Sequence, residues 1–304
     1  MTLFTIILAL IVEQVQPLAQ QRFVLAPLQR YARFLSERFN DGQYNHGRIA
    51  WLIAVPPIVA LVLGLDIFLT WLQPLLGLLF GVAVLYMTMG FRQFSHYFTD
   101  IHMALRMGEL ERARTLLGEW RGHGSDGLSS QEVARLAIEE ALIASHRYVF
   151  APLLCFVLIG PAGAILYRLA LFFRDQWGPV EVGGFGEMAR RAFAAIDWIP
   201  LRVTAGAFAI VGDFEDAVYC WRTQSALWPD ESAGILLASG AGALGVRLGF
   251  TLQAAGGGGE RPEIGLGEEA DVDFLQSTIG LVWRTLVLYL LLLALFWVAS
   301  WVGG

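Results

Sequence analysis

Residues 281–302 read LVWRTLVLYLLLLALFWVASWV. Only Arg284, Thr285 and Ser300 interrupt an otherwise apolar run. At about 1.5 Å of rise per residue the stretch is about 33 Å long as a helix, enough to cross a hydrocarbon core of about 30 Å. Trp283 lies near one end and Trp297 and Trp301 near the other, where interfacial aromatics belong. The run follows a Gly-rich, acidic segment, AAGGGGERPEIGLGEEADVD, and so is an element of its own. It identifies an integral membrane protein.

Composition agrees. The chain is 56% hydrophobic and 16% charged, where an ordinary soluble domain carries about 25% charged residues. The net charge of -6 argues against nucleic acid as a partner, which needs a concentrated basic face. Cys155 and Cys220 both sit in apolar surroundings at a spacing that fits neither a zinc nor a redox motif, so no metal site is expected. Every basic side chain is Arg. Without Lys there is no Walker A phosphate loop and no Schiff-base lysine.

Other apolar segments precede the last one. The opening MTLFTIILALIVEQ lacks a basic leader and a small-x-small cleavage site, so it is expected to stay in the mature chain as a marginal or interfacial helix. Ile49–Leu72 is a full-length span with Pro56 and Pro57 set to kink it. Pro74–Gly90 follows with almost no loop and forms a hairpin with it. Phe150–Phe173 is broken by Gly160-Pro161, and Ala194–Gly212 is weakened by Asp197 and Arg202. The Arg-rich stretches, residues 22–48 and 91–149, are expected on the cytoplasmic side and the Gln73 loop outside.

Residues 91–149 read as a cytoplasmic helical hairpin. GELERARTLLGEW places Leu110, Ala113, Leu116 and Leu117 on one face, and Ser129 or Ser130 can cap the second helix. Residues 213–280 form a polar helical and loop region before the final membrane helix at 281–302. No strand alternation or internal repeat is evident. The expected fold is all-α, a polytopic helical bundle forming a single membrane domain over residues 1–304.

Three clusters could carry chemistry. Arg92, His96 and Asp100 fall at i, i+4 and i+8, one face of a helix leaving the membrane. They read as an anion or metal-phosphate site, or as solvated charges on an amphipathic exit helix. Asp197 and Arg202 flank Pro200 inside an apolar segment, where charge normally meets a partner or a wet cavity. Pro200 is expected to break the backbone ladder there, leaving Arg202 open to an anion and Asp197 to a cation or an Arg. The third cluster runs from Trp221-Arg222 through Trp228 to Gly249 and contains Gly240-x-Gly242-x-x-Gly245. This is formally a dinucleotide fingerprint, but no strand precedes it, and small residues at this spacing more often permit close helix packing.

The opening segment, EEALIASHRYVFAPLL and AAIDWIPLRVTAGAFAIVGDFEDAVYCW resemble AmpE, an inner-membrane family linked to β-lactamase regulation. The strongest matches are Arg147–Leu153 and DWIPLR. The likeness implies a multi-pass protein of the bacterial inner membrane that relays cell-envelope status, with lipids and a cell-wall-derived small molecule as partners. More distantly the chain is similar to the CbiB/CobD family, which makes adenosylcobinamide phosphate by ATP-dependent amide ligation. Those matches are GELERAR, Ala137–Glu139, Ala151–Leu153, Trp221-Arg222 and GALGVRLG. They imply Glu139, Trp221 and Arg222 as site residues and a nucleotide with Mg²⁺ as cofactor, while Arg147 is a candidate ligand-binding residue from the AmpE-like stretch Arg147–Leu153. Ile143-Ala144 and Arg147-Tyr148 stand where that family has Glu-Asn and Asp-Gly, and Gln16-Pro17 is all that stands near its Asp-Pro and His-Pro. On those departures the expected outcome is that the scaffold is kept and the synthase reaction lost. A transporter is disfavoured by the lack of an inverted repeat.

Overall fold

The structure is a computed structural model, which describes residues 2–15, 25–41, 43–122, 124–178, 184–250 and 261–302; the side chains of residues 91–94 and 300–302 lie outside that description. Fourteen α-helices appear among the described residues. Four helical stretches are long and apolar enough to cross a membrane: Tyr44–Leu72, Ser130–Ile159, Glu187–Val211 and Val272–Ala299. The chain divides into two compact units, residues 1–90 with 147–200, and residues 91–146 with 201–304.

The first unit begins with α1 (Thr2–Val15), which at about 21 Å falls short of a full span. Helices α2 (Ala26–Phe39) and α3 (Tyr44–Ala54) follow. The expected kink in the first full span lies at Val55, between α3 and α4 (Pro56–Leu72), because Pro56 and Pro57 cannot donate to the ladder. Gln73 alone links α4 to α5 (Pro74–Thr88), and the two pack as the hairpin the sequence implies. Later in the chain a π-helical turn, His146–Phe150, feeds α9 (Ala151–Ile159), and Gly160 separates it from α10 (Pro161–Trp177). Helix α10 packs on α2, α4, α5 and α9. Its end builds an aromatic core, Phe173–Trp177–Phe185, and the Trp177 indole N–H donates to the Ala32 carbonyl at 3.3 Å.

The second unit is organised around α8. Helices α6 (Phe91–Arg106) and α7 (Leu110–Arg121) form the hairpin, tied by Tyr97 stacked on Trp120 and by buried Ala113 and Leu117. Ser129 starts α8 (Ser130–Ser145) with a full capping box: its hydroxyl accepts from the Glu132 N–H at 3.2 Å, and the Glu132 carboxylate accepts from the Ser129 N–H at 2.7 Å. Helix α8 is buried on most sides by α6, α7, α13 (Glu231–Leu244) and α14 (Val272–Val302). It runs unbroken through the π turn into α9, so the membrane-length apolar stretch here is Ser130–Ile159, upstream of the expected Phe150–Phe173.

Helix α14 begins nine residues before the apolar run, because the Asp271 carboxylate caps it by accepting from the N–H groups of Asp273 and Phe274 at 2.9 and 3.2 Å. Helix α12 (Phe214–Gln224) packs tightly on α13. The glycine motif is packing: a Cβ on Gly240 would sit 2.7 Å from Leu142, and one on Gly242 2.5 Å from the Asp216 carbonyl oxygen. Among the described residues, extended structure is confined to a parallel pairing of β1 (Val246–Arg247) with β2 (Glu268–Glu269) and a bridge between Leu248 and Ile264.

Helix α11 (Glu187–Val211) corrects one expectation, because Pro200 lies inside it and does not end it. A proline in mid-helix forfeits one ladder bond. In apolar surroundings the flanking carbonyls and amides have no water to turn to, so the remaining bonds hold the helix together.

Candidate functional site

The second unit gathers its buried charge at one place. On α8, Arg135 and Glu139 are four residues apart and share a face. Glu139 is only 5% exposed. A buried carboxylate is tolerable only when paired and hydrogen-bonded, and the partners come from far along the chain.

They arrive on the segment after α13. Gly245 ends that helix in the left-handed conformation, at φ 66°. Arg247 then pairs in the short sheet, and Leu248 and Ile264 exchange backbone hydrogen bonds at 2.7 and 3.0 Å. Gly249 has φ 89°, and a Cβ there would lie 2.0 Å from the Pro262 carbonyl oxygen, so only glycine fits. Its N–H donates to Glu139 Oε1 at 3.0 Å. Phe250, next along, holds a left-handed φ of 65°, a strained conformation for a bulky residue. Arg261 donates from Nη2 to the other Glu139 oxygen. One carboxylate thus ties both Gly249 and Arg261 to α8.

Aromatic faces and a clamp complete the cluster. The Arg135 and Arg247 guanidinium carbons lie 4.9 and 5.9 Å from the Phe250 ring centroid, and that of Arg261 lies 5.2 Å from Trp228. Arg247 also pairs with Glu263 at 3.2 Å and Glu269 at 3.6 Å. The Gln224 side chain holds Gly265 by both backbone groups: Oε1 accepts from its N–H at 2.6 Å and Nε2 donates to its carbonyl at 3.4 Å.

Three guanidinium nitrogens of this cluster, Arg135 Nε, Arg247 Nε and Arg261 Nη1, are buried with no hydrogen-bond partner among the described residues. Leaving a buried donor unmatched costs about 1–3 kcal/mol, more when it is charged. Planar guanidinium forks match the geometry of carboxylates and phosphates. Chemically the cluster is a cradle for an oxyanion beside two aromatic faces. Among the described residues no group of three or more His, Cys, Asp or Glu comes together as a metal site would require.

The residues singled out from sequence fall in several places. Glu139 is central to the cluster. Trp221 is half-buried and Arg222 exposed, both on α12 in the same unit. His96 is exposed and Asp100 half-buried on α6; the Arg92 side chain lies outside the described set. On the same helix His102 is held below the ordinary imidazole range, first by burial and then by Arg106. Arg147 and Asp197 belong to the first unit and Arg202 to the second. Asp197 is 3% exposed and accepts a hydrogen bond at 3.0 Å from the hydroxyl of Tyr167.

The family assignment now has its geometry. The family profile described as CobD/Cbib protein matches residues 6–282. The chain belongs to the CobD/CbiB family. A cobalamin biosynthesis protein CobD of Stutzerimonas stutzeri is 33% identical over 270 residues, covering 87% of this chain and 88% of that one. A CobD of Chromobacterium violaceum is 34% identical over 218 residues, covering 71% and 70%. A CbiB of Salmonella arizonae is 22% identical over 272 residues, covering 84% and 83%. No solved structure matches the chain. The order of the two resemblances is thereby reversed: the more distant one is the family, and AmpE finds no support among these matches.

Arg135, Arg261, Phe250 and Gln224 were not among the expected site residues. Arg247 was visible only as part of GALGVRLG, and Trp228 only as part of the third cluster. The one local signal was Arg135 four residues before Glu139 on a helix; every other partner is more than a hundred residues from Glu139 or joined through such a partner.

Proposed function

We propose that this chain is a multi-pass membrane enzyme of cobalamin biosynthesis of the CobD type, forming an amide bond by ligation, with its working site at the Glu139 cluster. The observation that carries the reading is the match to the family and to curated CobD proteins across most of the chain, with Glu139 of the matched Ala137–Glu139 motif at the centre of the buried arginine cluster. Arginines at such a site bind and orient anionic groups and stabilise charge as it develops. A nucleotide would supply the activating phosphoryl group. The Arg-rich stretch 91–149 supports a cytoplasmic side for that part of the unit.

A second reading is favoured by one observation. Ile143-Ala144 and Arg147-Tyr148 replace acidic and amide residues that could hold Mg²⁺ and orient phosphates. On that reading the scaffold persists without the ligation. One experiment decides. The chain is expressed in a cobalamin auxotroph lacking the synthase, with membrane abundance measured in parallel. Growth that depends on the chain and is lost in Arg261→Ala is the expected result. No growth at normal abundance sinks the enzyme reading and leaves the second.

A further inference from the structure

We infer that Arg135, Arg247 and Arg261 form a phosphate-binding cradle in which Glu139 is the resident anion that the incoming phosphoryl group displaces from Arg261. The inference rests on the reading of this cluster as the working site.

Three observations carry it. First, the cluster holds three buried guanidinium nitrogens without partners among the described residues, one from each arginine. A site meant only to tie α8 to the segment after α13 would pair its donors within the protein, as Gln224 does with both backbone groups of Gly265. Second, the arginines are grouped on common neighbours. Arg135 and Arg247 lie against the one Phe250 ring, and Arg261 is within electrostatic reach of Arg135. Like charges held together this way ask for an anion between them. Third, the buried carboxylate of the cluster among the described residues is Glu139, already committed on one oxygen to the Gly249 N–H, while the Glu263 and Glu269 partners of Arg247 are exposed to solvent. A tetrahedral phosphoryl group offers more acceptor oxygens than Glu139 can and suits several guanidinium forks at once. Phe250 keeps its left-handed backbone between Gly249, bonded to Glu139, and the rest of the segment. Strain of this kind is retained where the surrounding structure over-determines it, as at ligand clamps.

The chemistry recognised is a phosphate monoester or diphosphate. It could come from a soluble phosphorylated molecule or from the headgroup of an anionic lipid. The full chain is therefore reconstituted in nanodiscs of phosphatidylcholine alone, and in discs that also contain phosphatidylglycerol, and titrated calorimetrically with inorganic pyrophosphate. Saturable binding is expected in the phosphatidylcholine discs. Undiminished binding in the second discs identifies a soluble ligand, and competitive loss there identifies a headgroup; both fill the same cradle. Arg135→Ala, Arg247→Ala and Arg261→Ala should each weaken pyrophosphate by about tenfold or more, the scale of a hydrogen bond to a charged group. Arg112→Ala, in an exposed pair with Glu109, should change nothing.

Glu139→Gln separates a binding site from a structural tie. Gln still accepts from the Gly249 N–H but no longer competes as an anion, so pyrophosphate should bind several-fold tighter. Should an alanine variant fail to fold, Arg261→Lys keeps the charge, loses the fork and should still bind more weakly. No saturable binding by the folded wild-type chain in phosphatidylcholine discs overturns the inference. So does Glu139→Gln binding more weakly than wild type while folded. Binding without growth in the auxotroph removes the ligation and leaves the cradle; growth without binding removes the cradle and leaves the ligation.

Discussion

Gly242→Ala tests the close approach of α12 to α13. The added Cβ would fall 2.5 Å from the Asp216 carbonyl oxygen and 2.7 Å from the Ala217 Cα. Comfortable carbon contacts begin at about 3.5 Å, so α12 and α13 must part by most of an ångström. Both obstructing atoms are backbone, and no side-chain rotation relieves them. Overpacking of this kind costs about 1–3 kcal/mol. The intrinsic helix preference for alanine over glycine returns about 0.5–1 kcal/mol. The net expectation is a loss of about 1–2 kcal/mol. Gly64 on α4 supplies the control, because nothing lies within 4 Å of its added Cβ. Gly64→Ala should therefore keep the propensity gain of about 0.5–1 kcal/mol with no clash to offset it. At about 2–4 °C per kcal/mol for a unit of this size, the two variants should melt roughly 3–12 °C apart, Gly242→Ala below. Thermal unfolding of the purified chain in one detergent, followed by size-exclusion fluorescence, reads the difference. If Gly242→Ala melts with or above Gly64→Ala, the α12–α13 packing described above is wrong.

Two further expectations concern titrating groups outside the membrane helices. Burial pushes the Cys220 thiol up to about 11, so the folded chain should resist N-ethylmaleimide near neutral pH at this position and label it only after unfolding; rapid labelling of the native Cys155→Ala chain would contradict the placement. The hydrogen bond from His46, at 2.5 Å, holds the Asp41 carboxyl below its usual range. Whatever stability this pair adds is present above the ordinary carboxylate value of about 3.9 and is lost as pH falls through the lower folded value. The Asp41 carboxyl resonance should titrate below that ordinary value in the wild type and move back toward it in His46→Ala; coincident titrations would remove the pair.

The helices were legible because their determinants are local. The apolar run after Leu281 has the length of a bilayer, Pro56 and Gly160 mark breaks, and Ser129 with Glu132 spells a capping box. The start of α14 at Val272 was missed because the cap comes from Asp271, in a segment whose acidic composition reads as loop. Pro200 was over-read: the rule that proline ends a helix assumes that water competes for the freed groups. The site was barely legible. Glu139 drew attention only through a short family motif, and its partners Gly249 and Arg261 lie 110 and 122 residues away. No periodicity or spacing encodes such a meeting. The first two glycines of the fingerprint, Gly240 and Gly242, are by contrast packing positions as read, while Gly245 serves the left-handed end of α13.

Helix α4 has no buried residue, and Leu61, Leu65, Ile67 and Phe68 are all exposed. Its surroundings in a cell would be acyl chains, which do not discriminate among leucine, isoleucine, valine and phenylalanine as a packed interior does. Length and greasiness are all that this stretch must preserve. Its sequence is therefore free to drift faster than that of α8, where nearly every position is enclosed. Asp66 is the single ionisable side chain on α4, and it interrupts an otherwise interchangeable surface. A spin label or crosslinker placed at Leu61 or Phe68 would report on the lipid around the protein and leave the fold to itself.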